Sequence, residues 1–407
     1  MDLGNGLGHL TYSTLVHAGD TWQEMKDSLH TFVPAVKARV APDQRFGVSL
    51  RISASSARTL TESPAERAEL KKFLDDNDMY VYTVNAFPYG PFKGDVVMER
   101  VYEPDWATDD RVAYTNAVAD ILAEIAPADI NPSIQTAPLA FAPNVVDDDY
   151  IAHFTTNLLT VVAHLVALEA RTGRRVKLAL EPEPACFLET TAETVDYFTE
   201  RVYSPDGVAE LARLAGLPMS EAEGAMRRYL GVVFDIGHQA VGFEDIPASL
   251  RALVDAGIPI FKLQEAAALW VKDLTLDLVP QLRVFTDTIY LSQTTLRRGG
   301  EVTKFLTLGE ALDSFEADPR PTEIRTHFHV PVFLEELGPF VTTRFAVQEA
   351  LAMHRETPLS DHLEIETYTW DVLPAHLKTG DITDYVTREL DFVRDELLGD
   401  SRGVGAA

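Results

Sequence analysis

A chain of 407 residues with 35 basic and 63 acidic side chains carries a formal charge of −28, which excludes a nucleic-acid backbone or an anionic membrane as its main partner. Hydrophobic content of 46% is enough for a large soluble core, and the single cysteine, Cys186, excludes an intramolecular disulfide and a Cys-rich zinc site. The opening MDLGNGLGHLTYSTLVHAGD has no basic n-region and no long apolar run, so the chain reads as cytoplasmic and without membrane insertion.

Eight short apolar runs, rich in β-branched and aromatic residues, read as strands: GHLTY (8–12), FGVSLRIS (46–53), MYVYTVNAF (79–87), SIQTAPL (133–139), VKLALE (176–181), GVVFDI (231–236), IPIFKLQ (258–264) and LEIET (363–367). Helical stretches lie between them. Ser63-Pro64-Ala65-Glu66 and Ser220-Glu221-Ala222-Glu223 read as capping boxes, and the amphipathic stretch from Asp147 to Thr172 stops at Gly173. This alternation predicts an α/β fold, and a (β/α)₈ TIM barrel rather than a doubly wound sheet. In a barrel every strand delivers its C-terminal end to one mouth, and polar residues stand at many strand ends here. Two connections exceed what a plain barrel needs. Residues 87–111, after the third strand, suit an ordered loop over the mouth, and about 265 to 362, between the seventh and eighth, carry their own extended element at RTHFHVPVF. No linker divides the chain, so residues 1–400 read as a single domain and 401–407, SRGVGAA, as a disordered tail.

Five runs in the second half place an acid, an imidazole or an amide where an apolar strand stops, a costly position unless the group is paired or bound to a cation. Glu181 and Glu183 alternate with prolines and share a face, a pattern that also fits an exposed acidic turn. Asp235 and His238 end the most apolar strand, with Gly237 between them, and can converge on one centre. His327 and His329 flank Phe328; both can bind one metal, or one can bind while the other contacts substrate. In the last strand Glu364, Glu366 and Tyr368 share a face. A carboxylate at Glu366 opposing Glu181 across the mouth suits proton abstraction next to a carbonyl, with one glutamate removing the proton and the other returning it. Gln264 can add a neutral oxygen ligand. His9, Arg51 and Asn85, at other strand ends, are candidate substrate contacts, with ordinary hydrogen bonding in the barrel as the alternative for each.

The order Glu, Asp-x-x-His, polar residue, His-x-His, Glu resembles the xylose isomerase-like TIM-barrel superfamily. More closely, GHLTY, NAFPYGPFKG, VYEPDW, LEPEP, FDIGHQAVGFED, HFHVP and HLEIETYTWDVLP, spanning residues 8 to 374, resemble the EboE family of barrels from bacterial clusters described as metabolite traffic. The resemblance implies Glu181, Glu366 and Asp235 as metal ligands and His238 as a substrate or second-metal contact. Gln264 replaces the histidine usual on the seventh strand, and His327-x-His329 stands where the superfamily has Asp-x-His, so His329 is expected to supply the imidazole ligand. PLAF (138–141) stands where Ser-Tyr is expected, which points to an altered pocket.

The expected metal set is thus Glu181, Asp235, Gln264, His329 and Glu366, with Glu181 and Glu366 catalytic and Glu183, His238, His327, Arg51, Asn85 and His9 facing substrate. Oxygen and nitrogen ligands without cysteine admit a divalent Zn, Mn, Mg, Co or Fe ion. Three functions follow as expectations: an isomerase or epimerase acting on a small polyhydroxylated metabolite, a phosphoester hydrolase, or a metabolite-binding traffic protein without turnover.

Overall fold

Parallel strands buried on both faces favour apolar residues, and the seven that come first are almost wholly buried, with polar exceptions such as Ser133, Gln135 and Lys262. They are β1 (His9–Tyr12), β2 (Phe46–Arg51), β3 (Met79–Asn85), β4 (Ser133–Thr136), β5 (Lys177–Leu180), β6 (Leu230–Asp235) and β7 (Ile260–Glu265). The chain then builds six further strands, β8 (Ala267–Val271), β9 (Thr294–Arg298), β10 (Glu301–Phe305), β11 (Glu323–Val330), β12 (Glu336–Leu337) and β13 (Phe340–Thr342). It returns to the first sheet as β14 (His362–Ile365). This computed structural model describes residues 1–17, 19–92, 97–286, 289–369, 378 and 380–399.

The eight-stranded sheet runs β1-β14-β7-β6-β5-β4-β3-β2, all parallel, with helices in the connections. A parallel bridge between Ser13 and Ser49 brings β1 to β2 and nearly closes the ring, so the protein is a (β/α)₈ barrel. Residues 401–407, expected to be a tail, lie outside the described residues.

Local signals account for several helix ends. Ser63 caps the helix Pro64–Asp76, accepting from the Glu66 amide with proline in the first turn, and Gly173 ends Asp148–Thr172 in the left-handed region at φ 69°. Ser220 is a correction: its helix, Met219–Tyr229, starts earlier, with Pro218 in the capping position and no side-chain cap. Asp148–Thr172 is long and apolar enough to cross a membrane by length and composition. Its Phe154, Leu158, Val161, Val162 and Leu165 are fully buried in the protein core.

The extended element expected between the seventh and eighth barrel strands is one strand of a six-stranded antiparallel sheet, ordered β10-β9-β11-β8-β13-β12. Gly299 and Gly300, with φ 56° and 93°, form the two-residue turn between β9 and β10 that glycine alone makes cheaply. On β11 the pairing with β8 slips between Thr326 and His329, leaving His327 and Phe328 without ladder partners on β8. Such a bulge bends and twists its strand and re-aims the side chains around it. Leu269, Leu296, Ile324 and Phe328 from the inserted sheet pack in the same apolar core as the barrel strands and helices.

Candidate metal centre at the barrel mouth

Three carboxylates from three barrel strands converge on one amide nitrogen. Gln264 Nε2 lies 2.7 Å from Glu181 Oε1, 2.5 Å from Asp235 Oδ2 and 3.0 Å from Glu366 Oε2. Glu181 follows β5, Asp235 ends β6, Gln264 lies on β7 and Glu366 follows β14, all between 0 and 5% exposed. Gly237 leaves room for this arrangement, since a Cβ there would stand 3.0 Å from Ala266 Cβ and 3.1 Å from Asp235 Oδ1.

An amide has two N–H protons and the carboxylates are acceptors, so the nitrogen must face them and still cannot satisfy all three linearly. Gln264 Oε1, on the far side, is buried without a hydrogen-bond partner among the described residues. Burial raises Glu181 to about 7, and burial together with the nearby Glu181 carboxylate pushes Glu366 well above the usual range. Ionising Glu181 and Glu366 together is therefore unfavourable without a cation. A divalent ion would neutralise them and give the Gln264 oxygen a partner after a half-turn of its amide.

Beside the acids stand three imidazoles whose outer nitrogens are all committed as donors. His238 Nδ1 meets the Pro182 carbonyl at 2.9 Å and His329 Nδ1 meets the Glu366 carbonyl at 2.7 Å. His327 Nδ1 meets Gln293 Oε1 at 2.8 Å. The Gln293 amide is itself oriented, because its nitrogen donates to Glu183 Oε1 at 3.2 Å and the Pro184 carbonyl at 3.1 Å. All three Nδ1 atoms therefore carry a proton, and in the neutral rings each Nε2 presents a lone pair. His327 Nε2 and His329 Nε2 are only 2.9 Å apart, two lone pairs facing one another. Burial, with the neighbouring imidazoles, lowers His327 far below its ordinary value, and burial takes His329 down to about 4, so neither ring relieves the contact by charging.

Potential ligand atoms thus form two groups, each within 4.8 Å: Glu181, Asp235 and His238, and His238, His327 and His329. His238 is shared. Burial lowers its pKa, but Asp235, Glu183 and Glu181 outweigh that and the net shift is upward. His329 stands with the histidine group, and His238 and His327, each expected as a metal or a substrate contact, lie at ligand distance from it.

Asn85, at the end of β3, donates to Glu366 Oε1 at 3.2 Å, and Glu183 accepts from Tyr102 at 2.9 Å, so both expected substrate contacts line the site. His9 does not. It opens β1 instead of ending it, at the opposite end of the barrel, and pairs with Tyr80 at 2.7 Å. Arg51 ends β2, yet its guanidinium turns to the Asp20 carboxylate and Gly19 carbonyl at 2.6 Å and the Gly90 carbonyl at 2.8 Å. It ties the loop after β1 to the loop after β3.

Sequence reasoning missed the layer beneath. Gln135 on β4 donates to Glu181 Oε2 at 2.5 Å, Lys262 on β7 donates to Gln135 Oε1, and Lys262 pairs with Glu364 at 3.0 Å with both fully buried. A lysine inside the apolar run IFKLQ was the available signal, because an ammonium enters a barrel core only with a paired anion. Gln293, which fixes His327, lies in a stretch with no such pattern.

Fold and side chains together define a (β/α)₈ barrel whose mouth is lined by buried carboxylates and imidazoles. No family model matches the chain, and no curated protein matches it in sequence. Similar solved structures include a xylose isomerase-like TIM barrel protein from Mycobacterium smegmatis in complex with magnesium, at TM-score 0.47 and 9% identity over 98% of this chain and 99% of that one. Another is the probable 3-DHS dehydratase AsbF, involved in petrobactin synthesis, from Bacillus anthracis, at TM-score 0.45 and 13% identity over 95% and 98% of the two chains. A third is an IOLI protein with a binding zinc atom, at TM-score 0.45 and 10% identity over 96% and 98%.

Proposed function

We propose that this protein is a divalent-metal-dependent enzyme of the EboE type that moves a proton on a small hydroxy-carbonyl metabolite, as an isomerase or epimerase does. The observation that carries this reading is the meeting of Glu181, Asp235 and Glu366 at one nitrogen of Gln264, an arrangement of three acids that a cation completes. Glu181, Asp235, Glu366 and the Gln264 oxygen would hold the ion, with His238 beside them, and the ion would supply polarisation of a bound carbonyl. Glu181 follows β5 and Glu366 follows β14, with β6 and β7 between those strands in the sheet, so the two carboxylates reach the mouth from different sides. One takes the proton from the carbon next to the carbonyl and the other returns it. Asn85 steadies Glu366, while the chain from Glu364 through Lys262 and Gln135 steadies Glu181.

Glu366→Gln is expected to lower the rate of solvent deuterium entry into a 2-hydroxy-carbonyl substrate about 10³-fold in metal-loaded protein. Exchange retained in that variant contradicts the proton-transfer role.

The second histidine group favours one competing reading, hydrolysis of a phosphoester of a small metabolite at two metals, one at each group, with His238 a ligand to one of them. Two tightly bound equivalents together with release of phosphate from a model ester would select it.

A further inference from the structure

Above the polar floor of the mouth lies a chamber of about 60 Å³, room for roughly two waters. Its floor is formed by Asn85, Gln135, Glu181, Glu183, His238, His327 and Glu366. Its roof is of the opposite character. Leu15, Phe92, Val97, Val101, Tyr290 and Leu291 all line it. They belong to two small apolar clusters separate from the main core, with Val101 packed against both. Tyr290, the polar member of those six, spends its hydroxyl on the Phe92 carbonyl at 3.0 Å.

A polyol bound here would point hydroxyls at aliphatic and aromatic carbon, and each hydroxyl stripped of water without a partner weakens binding. A sugar site needs donors and acceptors on every side; apart from the hydroxyls of Tyr102, Tyr290 and Tyr368, this chamber has them on the floor. We infer that the substrate is amphipathic, with an oxygen-rich, metal-binding head for the floor and an apolar or aromatic body for the roof. This rests on the proposed metal-dependent function and replaces the polyhydroxylated substrate expected from the sequence.

Among the described residues, the Val97 and Met98 amides donate to the Ile289 carbonyl at 2.8 and 3.0 Å, and Tyr290 donates to Phe92. These join the loop after β3 to the segment before β9.

The test uses one chelating head with two bodies. Zn²⁺-loaded protein is titrated with acetohydroxamate and with benzohydroxamate, and the phenyl compound is expected to bind at least tenfold tighter. Val101→Asp is expected to bring that ratio to about one. Equal or weaker binding of benzohydroxamate by the unsubstituted protein overturns the inference. A second arm needs no metal: methyl resonances of Val97, Val101 and Leu291 in chelator-treated protein are followed during titration with benzyl alcohol and with xylitol. Shifts with benzyl alcohol alone support the amphipathic substrate even if the protein takes up no Zn²⁺, which would defeat the metal-dependent function instead. Shifts with xylitol alone, or with neither, overturn it.

Discussion

Gln264→Leu is expected to destabilise the metal-free protein at pH 8 by about 3 kcal/mol, and a saturating divalent ion is expected to recover most of that loss. The leucine removes the donor shared by Glu181, Asp235 and Glu366 and leaves three buried acceptors facing one another. Removing one member of a buried charged network costs about 3–5 kcal/mol because the others are left uncompensated. Part of that is relieved here by protonation, since Glu181 is already raised to about 7. A ligand that binds only the folded state restores about 4 kcal/mol when present at a thousand times its dissociation constant. Urea unfolding with chelator and with Mn²⁺ or Zn²⁺ reads both numbers. A variant as stable as the parent, or one whose stability ignores the metal, would show that the three acids do not act as a cation site.

His327→Ala is expected to weaken metal at the histidine group at least 100-fold while sparing the carboxylate group. His327 Nε2 faces His329 Nε2, and no carboxylate oxygen hydrogen-bonds it among the described residues. Gln293→Leu should act in the same direction more weakly, by 10- to 100-fold. It removes the acceptor that keeps the proton on His327 Nδ1, and partners of this kind contribute that much to metal affinity. Competition with a chromophoric chelator separates the two sites if they differ in affinity. Loss of both metals on substituting His327 alone would mean that the two groups form a single centre.

The barrel was legible because strand identity depends on short-range composition. All eight parallel strands fall within the apolar runs or one residue beyond them, and their polar ends gave away Glu181, Asp235, Gln264 and Glu366. What failed was anything requiring direction or partner. His9 looks like a strand-end residue until the strand is seen to begin there, and Arg51 ends its strand with a guanidinium long enough to leave the mouth. Of the inserted sheet only β11 was read from the sequence; β12 and β13 are two and three residues long and β10 is largely exposed, so neither apolar runs nor strict alternation marks those three. Gly299-Gly300 was the one local sign of a hairpin. The members of both metal-sized groups were named from the sequence, but not their division, which depends on the bulge at His327 and Phe328 that arises from pairing between distant strands.

Metal uptake by the intact protein bears most directly on the site. Protein stripped with chelator and titrated calorimetrically with Mn²⁺ or Zn²⁺, with elemental analysis of the product, is expected to bind at least one equivalent tightly, with a second at the histidine group. Glu181→Gln combined with Asp235→Asn is expected to remove the first. Less than a tenth of an equivalent bound by the unsubstituted protein, with its fold intact, would contradict the proposal that these residues form a metal centre.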